Sequence, residues 1–189
     1  KVEREKILME RVAHENVCRV YHYRSRPQGD GELCALILEL LDRTLKQCID
    51  ESSDRRLPES EVIHVALDIS SALAHVHEMG VIHRDVKPTN IMCSHRKAPQ
   101  QQLVYKLIDF SVSAIRHQEQ SSVSQTLHTA TSTYLAATGT AHYMSPEQFD
   151  PNMVVESQTD LWSLGIVMFE ALAGVLPFAA GETDHLKIG

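Results

Sequence analysis

Apolar residues at Val62, Ala66, Ile69, Leu73 and Val76 recur at alternating helical spacings, which predicts one long helix from Pro58 to Met79 with a core-facing stripe. Gly80 stands where such a helix would end in left-handed backbone. Upstream, Ile7, Leu8 and Val12 beneath a dense charge cover give residues 1–13 a helical pattern. Two strand-like runs follow, Val17–Tyr23 and Leu33–Leu38, separated by the turn-rich Arg26-Pro27-Gln28-Gly29-Asp30-Gly31. Thr44–Glu51 reads as a short helix and Val81-Ile82 as a brief buried strand. Ile91-Met92 and Leu103–Ile108 read as strands of a hairpin, with the polar Ser94–Gln102 segment between them. A last helix opens at Asp160 and runs through Ile166, Met168, Phe169, Ala171 and Leu172 to Gly174. Helices mixed with short strands make the fold class α+β.

Composition narrows the function classes. A chain of 189 residues can bury a sizeable core. A net charge of −7 argues against a partner bound by phosphate neutralisation, so no nucleic acid is expected. No apolar run reaches the ~18 residues of a membrane span: Leu33–Leu41 is broken by Glu39 and Leu161–Leu176 by Glu170. Cys18, Cys34, Cys48 and Cys93 are scattered without metal or disulfide-framework spacing, which suggests reduced thiols in an intracellular, cytoplasmic setting. His75 and His77 read as surface or packing residues, because no third ligand is spaced to join them. The chain begins at Lys1 with no signal-peptide pattern, and it reads as a piece of something longer.

The chemistry concentrates in His83-Arg84-Asp85-Val86-Lys87-Pro88-Thr89-Asn90, with Asp109-Phe110 following nineteen residues after Asn90. Phosphoryl transfer needs a carboxylate to orient the acceptor hydroxyl, and a carboxamide plus a second carboxylate to hold Mg²⁺ on a triphosphate. Gly139-Thr140-Ala141-His142-Tyr143-Met144-Ser145-Pro146-Glu147, Asp160-Leu161-Trp162-Ser163-Leu164-Gly165 and Gly174-Val175-Leu176-Pro177-Phe178 follow in order. Together these blocks resemble the eukaryotic-type protein kinase domain. Lys87-Pro88-Thr89 resembles its serine/threonine class rather than the tyrosine class.

The resemblance implies a two-lobed fold with a truncated small lobe and a mostly helical large lobe. Residues 1–38 would be a partial N-lobe with helix C and strands 4 and 5, residues 39–41 the hinge, and residues 42–189 a partial C-lobe. It implies ATP and Mg²⁺ as cofactors and a protein bearing Ser or Thr as substrate. Asp85 would orient and accept the substrate proton, Lys87 would stabilise the transferring phosphoryl, and Asn90 and Asp109 would ligate the metal. Leu38, Glu39 and Leu41 would be gatekeeper and hinge, with Met92 as the floor under adenine. Glu5 would be the helix-C glutamate, and Thr140 would hydrogen-bond toward Asp85 and shape the substrate site. Glu147 would close the activation segment, and Asp160 would brace the catalytic-loop backbone. Val20, Met9, His83 and Phe110 would stack as a column linking the lobes.

Regulation is expected at Arg84, placed to pair with a phosphate that an upstream activating kinase adds to the Ser121–Thr133 tract, first at Thr131, Ser132 or Thr133. Ser111 departs from the family by replacing the glycine after Asp-Phe, which would restrict the turn. That departure, and a strand-3 lysine lying outside these residues, leave a pseudokinase scaffold as the alternative to catalysis. A small-molecule phosphotransferase is a weaker alternative, because Gly139–Glu147 resembles a peptide-positioning segment. Residues 1–189 alone are expected to be inactive.

Overall fold

The computed structural model describes residues 7–8, 10–29, 31–95, 103–115, 140–150 and 152–178. Its helices are α1 (Leu45–Glu51), α2 (Glu59–Glu78) and α3 (Gln158–Ala173). The strands are β1 (Val20–Gln28), β2 (Gly31–Leu38), β3 (Arg43–Thr44), β4 (Val81–Ile82), β5 (Ile91–His95), β6 (Leu103–Leu107) and β7 (Ala114–Ile115). They form a β1-β2 hairpin, a β3-β5-β6 sheet and a β4-β7 pair, all antiparallel. The arrangement is α+β. No helix among the described residues is long and apolar enough to cross a membrane.

α2 is the centre of the core. Its buried residues are Val62, Val65, Ile69, Ala72, Leu73 and Val76, which pack toward β6 and α3. The predicted stripe is therefore rotated slightly, with Ala66 at its half-buried edge and Val65 and Ala72 inside. Pro58 caps the helix at one end, and Gly80 follows its C-cap with φ 71. α1 starts where Thr44 accepts from the Gln47 amide at 3.2 Å while Gln47 Oε1 accepts from the Thr44 amide at 2.8 Å. This reciprocal box satisfies two amide donors that a helix N-terminus otherwise leaves open.

The first hairpin differs from the sequence expectation. β1 begins at Val20 rather than Val17 and continues through Pro27 and Gln28, so most of the expected turn is strand. Among the described residues the sheet is two-stranded, and on the edge of such a pair a proline that lacks a donor breaks no ladder bond. Val17 instead makes an isolated parallel bridge to Leu107, with Cys18 N donating to Leu107 O at 2.9 Å and Leu107 N to Asn16 O at 2.8 Å. That bridge ties the N-terminal segment to the strand leading into Asp109. Just before it, Ile7, Leu8, Glu10 and Arg11 are helical, and Leu8 and Val12 enter the core.

α3 ends at Gly174, which has φ 75. The loop after α1 closes over this end. Leu57 N donates to Ala171 O at 2.8 Å, and Arg56 Nε donates to Ala173 O at 3.0 Å. A β-carbon on Gly174 would stand 2.7 Å from the Asp54 carbonyl oxygen. Gly80 also has positive φ, but a β-carbon there meets nothing within 4 Å. Gly80→Ala should therefore lose about 1–2 kcal/mol, the cost of left-handed backbone alone. Gly174→Ala should lose distinctly more, because backbone must also move. Chemical denaturation of both variants checks the order; equal losses would refute the close contact.

Candidate active site

Asp160, near the start of α3, is fully buried at 0% exposure. Its Oδ1 accepts from Arg84 N at 2.7 Å, and its Oδ2 accepts from His83 N at 2.9 Å. A third partner, His77 Nε2 on α2, lies 2.8 Å from Oδ2. Two consecutive amides aimed at one carboxylate force a sharp bend, and Arg84 takes a left-handed φ of 70. Its carbonyl accepts from Gln148 Nε2 at 3.1 Å, so the segment after the activation region also holds the bend.

The bend delivers Asp85. Its Oδ2 receives Asn90 Nδ2 at 2.8 Å and lies 2.9 Å from Lys87 Nζ. Asn90 Nδ2 also donates to the Asp85 carbonyl at 2.9 Å. Asp85 Oδ1 is buried and has no hydrogen-bond partner among the described residues. Burial pushes the Asp85 carboxyl above its ordinary value, partly offset by Lys87, His83 and Asn90. The carboxylate is thus fixed through one oxygen and presents the other.

His83 connects this loop to the Asp109-Phe110 turn. Its Nε2 lies 3.0 Å from the Ile108 carbonyl, and Asp85 N donates to its Nδ1 at 3.3 Å, which together require the Nε2–H tautomer. Its ring meets Phe110 edge-on at 4.8 Å between centroids. Asp109 takes φ 64, and its Oδ1 accepts from Ser111 N at 3.1 Å. Positive φ therefore falls on the aspartate, which tolerates it. Ser111 is not among the positive-φ residues, so the expected restriction does not arise in this conformation.

In the expected hinge, Leu38 is partly exposed, Leu40 is 91% exposed and Leu41 is buried. Glu39 N donates to Arg19 O at 2.8 Å, and the Glu39 carboxylate accepts from Lys106 Nζ at 2.8 Å. Leu38, Glu39, Leu40 and Lys106 line a cavity of about 650 Å³ that does not reach Asp85 or Asp109. Met92 sits on β5 opposite Thr44, half-buried against the core. Val20 likewise packs against the core. Glu147 Oε1 accepts from Thr159 Oγ1 at 2.5 Å. Thr140 opens a 3₁₀ turn, Thr140–Tyr143. Its side chain lies outside the described residues, as do Glu5, Met9, the Ser121–Thr133 tract and the 96–102 loop.

Sequence reasoning missed two contributors. His77 read as a packing residue, although its spacing from the loop across a helix end gave no local sign of its partner. Glu170 read as an interruption in an apolar run, yet it is buried and accepts from Tyr143 OH at 2.6 Å, with Lys46 Nζ 3.4 Å away. Burial and the Glu170 hydrogen bond push the Tyr143 hydroxyl above its ordinary pKa. Only a buried carboxylate inside an otherwise apolar helix face could have flagged Glu170.

The family described as "Protein kinase domain" matches residues 1–188. The serine/threonine-protein kinase PknB of Mycobacterium leprae is 34% identical over 166 residues, covering 87% of this chain and 24% of its own length. A probable serine/threonine-protein kinase of Clostridium acetobutylicum is 30% identical over 181 residues, covering 95% of this chain and 24% of its own. Another from Clostridium perfringens is 34% identical over 144 residues, covering 76% of this chain and 18% of its own. The chain thus spans a quarter or less of the curated relatives it matches.

The Asp160 node makes an ordered prediction. Asp160→Ala strands two buried backbone amides and should cost about 2–6 kcal/mol, at roughly 1–3 kcal/mol per unsatisfied group. His77→Ala leaves both amides bonded and should cost clearly less. Urea unfolding of the two variants measures the difference; a His77 variant at least as damaged as the Asp160 variant would contradict the arrangement.

Proposed function

The chain belongs to the protein kinase domain family, and from that premise we propose that it transfers the γ-phosphoryl group of ATP to Ser or Thr hydroxyls of a protein substrate. The observation that carries this reading is the buried Asp85 Oδ1, which has no partner among the described residues and is held in place by bonds to the other oxygen of the same carboxylate. An acceptor hydroxyl placed against Oδ1 would be oriented for attack and would pass its proton to that atom. Lys87, at 2.9 Å from Oδ2, supplies positive charge beside the acceptor and toward the phosphoryl being transferred.

The side chains present suit Mg²⁺. Asn90 Nδ2 is spent on Asp85, which turns Asn90 Oδ1 away as a free oxygen donor, and Asp109 adds a carboxylate. Both are hard oxygen ligands, and the described residues hold no larger cluster of His, Cys, Asp or Glu arranged for a metal. This fits an ion held jointly by the protein and substrate phosphates. When bound, Mg²⁺ would neutralise charge on the triphosphate. Leu38, Glu39, Leu41 and Met92 would face adenine, with residues 1–38 and 42–189 contributing the small-lobe and large-lobe sides of the cleft. Thr140, Glu147 and Ser111 would belong to the segment that positions substrate and receives the upstream kinase's phosphate, and Arg84 would pair with that phosphate. The presence of Asp85, Lys87, Asn90 and Asp109 together supports catalysis over a pseudokinase scaffold.

In the full-length protein, Asp85→Asn should lower kcat by about 10²–10⁴ while nucleotide binding stays near normal, the range for loss of a general base. Asp109→Ala should instead weaken the metal-dependent part of ATP binding. Because burial raises the Asp85 carboxyl, the acid limb of the pH–rate profile should lie above the ordinary aspartate value of 3.8. Peptide phosphorylation that survives both substitutions would show that the site has been misassigned.

Ser111→Gly gives a separate check on the turn. With serine already in unstrained backbone, glycine should leave activity intact and shift only the balance of turn conformers. Steady-state kinetics on the glycine variant reads this directly. An inactive enzyme would mean that the Ser111 hydroxyl takes part in the chemistry.

A further inference from the structure

Cys48 on α1 and Cys93 on β5 bring their sulfurs to 3.7 Å in the core. We propose that these two thiols are a redox site, forming a reversible intramolecular disulfide on reaction with a small hydroperoxide and thereby altering how β5 and the turn before it present Met92 and Asn90. Both residues sit on ordered elements that share one connection. β3 pairs with β5 through Arg43–Cys93 and Thr44–Met92, and Thr44 is also the N-cap of α1. A disulfide S–S bond is about 2.05 Å long, so the sulfurs must close by roughly 1.7 Å from their 3.7 Å contact. That closure moves α1 and β5 against each other. β5 follows directly on the Pro88–Asn90 turn, so the strand transmits the movement to Met92 and Asn90.

The two sulfurs are chemically unequal. The hydrogen bond shared with Cys48 and the nearby Arg43 guanidinium lower the Cys93 thiol, while that shared bond and burial raise Cys48. Cys93 is thus the thiolate-prone partner. Burial selects the oxidant: Cys93 is 0% and Cys48 8% exposed, which excludes protein disulfides and leaves a molecule as small as hydrogen peroxide. The Cys93 thiolate attacks one peroxide oxygen, the O–O bond breaks, and hydroxide departs and is protonated to water. Cys93 is then a sulfenic acid. The Cys48 sulfur attacks the Cys93 sulfur, the S–O bond breaks, and the departing oxygen leaves as a second water with the Cys48 proton. Two thiols and one hydrogen peroxide become one disulfide and two waters. The remaining cysteines do not compete. Burial pushes the Cys18 thiol up to about 11, and the Cys34 sulfur accepts from Tyr23 OH at 3.1 Å on a different element.

The test oxidises reduced, folded full-length protein with hydrogen peroxide, unfolds it in N-ethylmaleimide to block the remaining thiols and maps the peptides by mass spectrometry. The four free cysteines of this stretch should fall to two, with Cys48- and Cys93-containing peptides linked, two hydrogens lighter and separated again by dithiothreitol. Maleimide on both Cys48 and Cys93 after oxidation, or sulfinic acid without a link, would overturn the site. In Cys48→Ala, oxidised and then unfolded in the presence of dimedone, the trapped sulfenic acid should be at Cys93; trapping elsewhere would overturn the assigned order. ATP affinity is then compared in oxidised and reduced protein, a step that rests on the kinase reading. A linked pair with unchanged ATP affinity would overturn the coupling to β5. A linked pair with no ATP binding in either state would instead sink the kinase reading and leave the redox site standing.

Discussion

A charged carboxylate removed entirely from water governs this structure. Burying an isolated ion costs several kcal/mol even after relaxation, unless donors surround it. Asp160 meets that requirement with the amides of His83 and Arg84 and the ring of His77. The requirement runs in both directions. The amides of a left-handed bend have no ladder to join, and Arg84 bears a conformational cost of about 1–2 kcal/mol that needs compensation. Each group thus supplies what the other lacks, which fixes α2, α3 and the loop between β4 and Pro88 as one unit.

From that unit the polar network spreads outward with few loose ends. His83 bonds the Ile108 carbonyl on one side and the Asp85 amide on the other, and its ring abuts Phe110. The position of Asp109 is therefore referred to the same bend as the position of Asp85, although twenty-four residues separate them. Asp85 spends one oxygen on Asn90 and Lys87 and keeps the other buried without a partner among the described residues. A buried acceptor without a donor among the described residues calls for an explanation, which the proposed substrate hydroxyl supplies. Tyr143 and Ser163 anchor the far side, where Ser163 Oγ donates to the Tyr143 carbonyl at 2.7 Å and the Tyr143 hydroxyl donates to Glu170.

Much of this was legible in the chain. The α2 stripe follows from helical periodicity, and Gly80 and Gly174 mark helix ends because only glycine enters left-handed backbone freely. The reading failed where a local rule depends on neighbours. Pro27 signals a turn in isolation, but an open sheet edge accepts it as strand. Cys48 and Cys93 lie forty-five positions apart, and no spacing rule would pair them.

The sequence by itself determined the chemical inventory and its order: Asp85, Lys87 and Asn90 stand within six consecutive residues, and Asp109 follows nineteen positions later. It also determined the helices, whose hydrogen bonds and apolar stripes are local. Only the tertiary structure decided which oxygen of Asp85 stays open, which histidine supports Asp160, and that Lys46, Tyr143 and Glu170 meet. These are contacts between elements distant in sequence. They are set by how α2, α3 and the central sheet pack, and burial then makes each unpaired polar group costly enough to choose its partner.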